Sequence, residues 1–164
     1  MKKILITLIA ICLILTGCFS GQTGNEQVNV NDKEKKLATE NENNLTLDKV
    51  TAALKTEGIE MFKEEPNNNW VLNNVNANRF SVSRPNVKEV YKEYISVYIF
   101  SSEAARKEGL NDFNHQKEKY DMQIPNIYEY KNVLILYWHH ENADNSKNAK
   151  FNKQIEMAIQ KMYA

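Results

Sequence analysis

EYISVYIF, residues 93–100, is the clearest strand signal in this chain of 164 residues. Ile95, Val97 and Ile99 alternate with tyrosine and serine, and β-branched and aromatic residues make up most of the segment. Successive side chains of a strand point to opposite faces of its sheet. We therefore expect this segment to be a strand of the sheet.

Neighbouring segments extend the predicted sheet to four strands. Phe80 to Ser83 predicts a short strand that ends at the Arg84-Pro85-Asn86 turn. Residues 126–140 (NIYEYKNVLILYWHH) predict a hairpin that turns at Lys131-Asn132, because Asn tolerates the positive φ of a two-residue turn. Residues 59–79 give no clear assignment.

Three helices are predicted. Thr46 can cap the first helix, and Gly58 suits its left-handed end. The second helix runs from Ser101 or Ser102 to about Lys119, although Gly109 weakens its middle. The third carries apolar residues on one face, namely Phe151, Ile155, Ala158, Ile159 and Met162.

The order α-β-β-α-β-β-α predicts an α+β fold in one small domain, residues 45–164. Its antiparallel four-stranded sheet would carry about three helices on one face. Cys12 and Cys18 both precede this domain, so the domain has no disulfide and no thiolate nucleophile.

A two-residue turn sets Tyr130 opposite Val133, so alternate residues of the two hairpin strands share a face. If the aliphatic set Leu134 and Leu136 packs under helices beside Ile95, the second face keeps the tyrosines Tyr94, Tyr98, Tyr128, Tyr130 and Tyr137. Tyrosine combines rigid apolar area with a polar tip, so this face is a possible contact surface. Alternatively, the tyrosines form the solvated side of the sheet or lie under residues 59–79.

The N-terminus carries a secretory signal. Met1-Lys2-Lys3 is cationic, Ile4 to Thr16 is an apolar run, and Gly17 precedes Cys18. Thirteen residues span about 20 Å as a helix, less than the roughly 30 Å of a hydrocarbon core. The run is therefore too short for a membrane-spanning helix.

Leu15-Thr16-Gly17-Cys18 resembles the lipobox of prokaryotic membrane lipoproteins. The resemblance implies removal of residues 1–17 by a lipoprotein signal peptidase that recognises Leu15, Thr16 and Gly17. It also implies a covalent diacylglyceryl lipid on Cys18, whose two chains hold a protein stably on the outer face of the cell membrane. Codons of the abundant Asn, Lys, Ile and Tyr are AT-rich, which indicates a low-GC Gram-positive source.

Residues 19–44 after the lipidated Cys18 have few large apolar side chains and both signs of charge, which predicts a flexible tether. Without Lys2 and Lys3 the chain keeps 19 basic against 21 acidic side chains. The composition therefore gives no basic patch for nucleic acid, and we expect no nucleic-acid partner.

His139-His140-Glu141 is the most suggestive chemical cluster. Adjacent strand residues point to opposite faces, so the two histidines do not easily share a metal. His139 and Glu141 could share one with His115, but nothing in their spacing requires it, and no metal or other cofactor is expected. The domain contains only Gly58 and Gly109, so neither a nucleophile elbow nor a phosphate loop is predicted.

These observations favour a lipid-anchored extracytoplasmic protein that acts without catalysis as a binding or accessory module with an unknown protein or envelope partner. One alternative is a cell-envelope hydrolase that uses carboxylates and His139. Another is a structural or protective surface lipoprotein. A pocket with two convergent carboxylates would favour the hydrolase, and a flat tyrosine-bearing surface would favour the binding module.

Substitution Cys18→Ala removes the lipid attachment site. We expect the variant to leave the membrane fraction or to accumulate as an uncut precursor, which cell fractionation and gel mobility measure. Cys12→Ala, inside the segment that is removed, is the matched control and stays with the membrane. A Cys18→Ala protein that fractionates and migrates like wild type contradicts the lipoprotein interpretation.

Overall fold

The computed structural model describes residues 44–65, 70–120 and 123–163. The predicted signal, the predicted lipobox Leu15–Cys18 and the predicted tether up to residue 43 lie outside the described residues. Three α-helices occur in the described part: α1 (Leu47–Thr56), α2 (Glu103–Lys117) and α3 (Asn152–Lys161). No helix of this part is long and apolar enough to cross a membrane.

The strands form one antiparallel five-stranded sheet and a separate small hairpin. They are β1 (Phe62–Lys63), β2 (Val71–Leu72), β3 (Val75–Asn76), β4 (Asn78–Ser81), β5 (Tyr94–Ile99), β6 (Asn126–Tyr130) and β7 (Val133–Trp138). The large sheet has the order β1-β4-β5-β7-β6, and β2 pairs with β3. Two short 3-10 helices span Glu89–Tyr91 and Ala143–Asn148.

The α+β class and the antiparallel sheet are confirmed, but the count of four strands is wrong. The previously unassigned residues 59–79 supply β1, which pairs with β4 at one edge of the sheet. The same residues supply the β2-β3 hairpin. Strands of two residues carry too little periodic signal to be detected in a sequence.

The predicted β6-β7 register is confirmed, with Tyr130 opposite Val133 and Lys131 at φ 48° in the turn. The pairing of β7 with β5 differs from the expectation, because Val97 lies opposite Ile135 rather than beside Leu134 and Leu136. Those two leucines lie opposite Tyr98 and Ser96 on the other face. The prediction that Leu134 and Leu136 share a sheet face with Ile95 is therefore wrong.

Both faces of the sheet are covered by helices, so the prediction of helices on one face is wrong. One core joins α1 and α3 to the sheet face that carries Ile95, Val97 and Ile135. The second core places Phe113 of α2 and Leu72 of the β2-β3 hairpin on the opposite face. Both central strands are buried on both sides, because each core removes one side of the sheet from water.

Helix α1 begins and ends where its sequence signals predict. The Thr46 hydroxyl accepts a hydrogen bond from the Lys49 N–H, which caps the first turn. Gly58 follows the helix at φ 79°, and the Ile59 N–H donates to the Leu54 carbonyl at 3.2 Å. This is a Schellman end, with buried Ile59 and Leu54 supplying its hydrophobic contact.

Asn132 ties three parts of the domain together from the β6-β7 turn. Its Oδ1 accepts from the Leu45 N–H at 2.8 Å, and its Nδ2 donates to the carbonyls of Leu45 and Phe100 at 3.0 and 2.9 Å. Its backbone carbonyl accepts from the Phe100 N–H at 2.9 Å. The side chain is 2% exposed, so these bonds satisfy polar groups that water does not reach.

Gly109 has a packing reason to be in the middle of α2. A Cβ added at Gly109 would lie 2.3 Å from Cζ of Phe100 and 2.4 Å from its Cε1. Phe100 is buried in the second core, so its ring cannot move aside into solvent. The glycine lets α2 approach the sheet more closely than any side chain would allow.

Substitution Gly109→Ala tests this close approach. Helix propensity alone predicts a gain of about 1 kcal/mol. Overpacking against Phe100 costs about 1–3 kcal/mol, so we expect a net loss in the free energy of unfolding. Urea denaturation measures the free energy of unfolding. The control is Asn111→Ala on the exposed side of α2, which should not lower it. A Gly109→Ala variant as stable as wild type contradicts the proposed contact.

Candidate functional site

The five tyrosines of the predicted contact surface do not share one exposed face. Tyr98 and Tyr137 are 1% and 0% exposed, and Tyr94 and Tyr130 are also buried. Tyr98 packs in the core with α2, and Tyr94 lies on the same side of β5 under the guanidinium of Arg79, whereas Tyr130 and Tyr137 pack in the core with α1 and α3. Tyr128 is half-buried. The prediction of an open tyrosine-rich surface is therefore wrong.

The tyrosine hydroxyls instead form hydrogen bonds within the domain. Tyr98 donates to the Trp70 carbonyl at 2.8 Å, and Tyr130 donates to the Met162 carbonyl at 3.0 Å. The Tyr128 hydroxyl donates to the side-chain oxygen of Asn152 in α3. Burial raises the pKa of Tyr94 to about 12, helped by its hydrogen bond to Glu89. These hydrogen bonds link the sheet to its surroundings.

A cleft beside the start of β5 is the candidate functional site. It encloses about 610 Å³ and is partly open to solvent, within the usual size range of small-ligand sites. The cleft is lined by apolar, polar and charged residues from four separate segments: Gly58, Glu60, Val82, Ser83, Arg84, Val87, Tyr91, Glu93, Lys150 and Phe151.

Local hydrogen bonds hold the walls of the cleft. The Glu93 N–H donates to the Ser83 hydroxyl at 2.9 Å, and the Val82 N–H donates to the Glu93 carbonyl at 3.0 Å. The Val87 N–H donates to the Arg84 carbonyl at 3.0 Å and closes the turn of the outer wall. The segment after β4 is thereby fastened to the residue that precedes β5.

A hydrogen bond from Tyr137 holds the Glu93 carboxylate in place. The Tyr137 hydroxyl donates to Glu93 Oε2 at 2.9 Å and accepts from the Phe151 N–H at 3.4 Å. Burial, and then the Glu93 carboxylate, raise the pKa of Tyr137 far above its ordinary value, so the phenol remains a neutral donor. The second carboxylate oxygen, Oε1, takes no hydrogen bond from the described residues, and Glu93 as a whole is half-buried.

His139 lies next to this pair but does not line the cleft. Its ring centroid is 5.3 Å from that of Tyr137, and its side chain is 1% exposed. Neither ring nitrogen has a hydrogen-bond partner of normal geometry. Burial lowers the pKa of His139, while Glu93 and Glu141 oppose that shift. The imidazole is therefore neutral and inaccessible at pH 7.

The other residues of the suggested metal cluster are not brought together. His140 is exposed, with Nε2 3.2 Å from the Lys92 carbonyl oxygen, and His115 belongs to α2 on the other side of the sheet. Within residues 44–65, 70–120 and 123–163, no three His, Cys, Asp or Glu side chains are grouped for a metal ion.

Sequence reasoning missed the residues of the cleft. Glu60, Arg84, Glu93 and Lys150 stand in four segments that no spacing connects, so no motif could mark them. Comparison of the chain with protein families, curated proteins and solved structures yields no match. The geometry of the cleft is consequently the main structural basis for a functional proposal.

The buried neutral imidazole predicts a pH dependence of stability. A lowered folded-state pKa means that the unfolded chain binds the proton more readily, so stability is complete above the ordinary histidine pKa of 6.5 and falls below it. As the pH drops, we expect His139 to lower the free energy of unfolding of the wild-type protein by up to about 1.4 kcal/mol per pH unit.

Denaturant titrations between pH 7.5 and 5 measure this loss in variants of the two adjacent histidines. His139→Phe should flatten the decline, because the group that gains a proton on unfolding is gone. His140→Phe, at the exposed neighbour, should keep the wild-type slope. Parallel curves for wild type and His139→Phe would contradict the assignment.

Proposed function

We propose that the protein is a lipid-anchored extracytoplasmic binding module, tethered to the membrane through Cys18, and that its cleft holds the ligand. The residues of the lipobox support the anchor, and residues 19–44 supply a tether about 28 Å long on average. The observation that carries the binding role is the cleft of about 610 Å³ with its half-buried, anchored carboxylate of Glu93.

The composition of the cleft supports specific binding. Val82, Val87 and Phe151 supply apolar lining, and a few charged and hydroxyl groups are placed among them. Ligand sites typically combine apolar walls with a small number of oriented polar groups. Glu93 is held by Ser83 and Tyr137 and therefore loses little freedom when a ligand binds.

Hydrolysis of envelope material is the second candidate, because Glu60 and Glu93 both line the cleft. Paired carboxylates are the usual acid and base of glycoside hydrolysis. Binding is favoured over this candidate for two reasons. His139, the imidazole of the hydrolase hypothesis, is enclosed in the core. Glu60 is also exposed and has no hydrogen bond or ion pair with a described residue, so no contact holds it in a fixed position beside Glu93.

Photo-crosslinking in intact cells tests the binding role. The natural side chain is replaced by p-benzoylphenylalanine at Tyr91, which lines the cleft and is 65% exposed. We expect one stoichiometric adduct after illumination, identified by mass spectrometry. Tyr120 is 61% exposed and packs against Trp70 on the α2 side, so the same replacement there is the matched control and should give no such adduct.

Equal labelling from positions 91 and 120 would contradict a ligand in the cleft. Cleavage of envelope polymer by the purified full chain, lost in both Glu60→Gln and Glu93→Gln, would support the hydrolase instead. The binding module predicts no turnover in that assay.

A further inference from the structure

Four charged side chains line the cleft without neutralising one another. Glu60, Arg84, Glu93 and Lys150 form no ion pair with any residue that the structure describes. Elsewhere in the same ranges, charged groups do pair, as Lys92 does with Glu89 at 2.9 Å. Two acids and two bases thus share one cavity and remain separated.

The charges differ in depth. Glu93 is half-buried and fixed by Tyr137 at the floor, and its Oε1 takes no hydrogen bond from a described residue. Glu60, Arg84 and Lys150 are exposed at the rim, where the Lys150 Nζ lies 4.7 Å from the centroid of the Phe151 ring. The half-buried carboxylate of Glu93 therefore attracts a cation, and the two cations of the rim, which outnumber Glu60, attract an anion.

We propose that the cleft takes a small zwitterion, whose ammonium group binds Glu93 and whose acid group binds Arg84 and Lys150. The inference rests on the proposed binding function and names the class of ligand. An ammonium ion donates up to three hydrogen bonds and would supply a hydrogen bond to Glu93 Oε1. A guanidinium ion pairs with carboxylate or phosphate through two parallel bonds.

Two common molecules have this chemistry. A short peptide with free termini carries an ammonium and a carboxylate, with apolar side chains that suit Val82 and Val87. Phosphoethanolamine, the headgroup of a membrane lipid, carries an ammonium and a phosphate. Both satisfy the same pair of charged sites, and separate titrations distinguish them.

Isothermal titration calorimetry of the full chain in detergent uses alanylalanine and phosphoethanolamine as probes. We expect at least one to bind. N-acetylation of the bound probe should raise its Kd at least tenfold by removing the ammonium. Glu93→Gln, which keeps an oxygen to accept from Tyr137, should raise the Kd of the free probe by a similar factor. It should leave the Kd of the acetylated probe unchanged, because the two changes remove the same contact.

Arg84→Gln tests the rim in the same way. It should raise the Kd of the free probe about tenfold. The Kd of the carboxyl-amidated dipeptide or of plain ethanolamine should not change. Lys88→Gln is the matched control, since Lys88 is an exposed cation of the same wall that does not line the cleft. Thermal melting checks that each variant remains folded.

Absence of binding by both probes overturns the zwitterion proposal, as does binding that N-acetylation leaves unchanged. If position 91 still crosslinks one ligand in cells, the binding function stands while this assignment of ligand class fails. If neither experiment gives a signal, both proposals fail.

Discussion

The antiparallel pairing of β5 with β7 places both cores of the domain. Six residue pairs, from Tyr94 opposite Trp138 to Ile99 opposite Val133, join two strands that are buried on both faces. A shift by one residue would exchange the two faces of one strand and present its side chains to the wrong core. Asn132 holds this register, because its backbone and side chain both bond to Phe100.

The same pairing produces the cleft. Antiparallel strands bring the beginning of β5 beside the end of β7, so Glu93 comes within reach of the Tyr137 hydroxyl. Phe151, just before α3, reaches that hydroxyl through its N–H, which fastens the third helix to the same corner. Tyr137 therefore combines a structural role with a part in the proposed binding site. The buried phenol packs in the core and also orients the Glu93 carboxylate of the cleft.

Local features of the sequence predicted local structure well. The end of α1 at Gly58 and the turn at Lys131 both follow from backbone geometry, which a few neighbouring residues determine. Gly109 shows where such reasoning stops. Propensity marks it as a weak point of α2, but the ring of Phe100 leaves no room for a Cβ. The cleft residues were missed for the same reason, since their proximity arises only after distant segments pack.

The α+β class, the course of the helices, the hairpin register and the absence of cysteine from residues 45–164 follow from the amino-acid sequence alone, since periodicity, caps and composition are properties of short stretches. The proposed lipid anchor likewise rests on Leu15–Cys18 alone. Three features arise only when distant segments pack together: the core that each face of a strand contacts, the cover of helices on both faces of the sheet, and the position of Glu93 in a charged cleft. Those outcomes depend on pairing between strands that lie far apart in the chain. The alternation of residues in either strand is compatible with both choices of face.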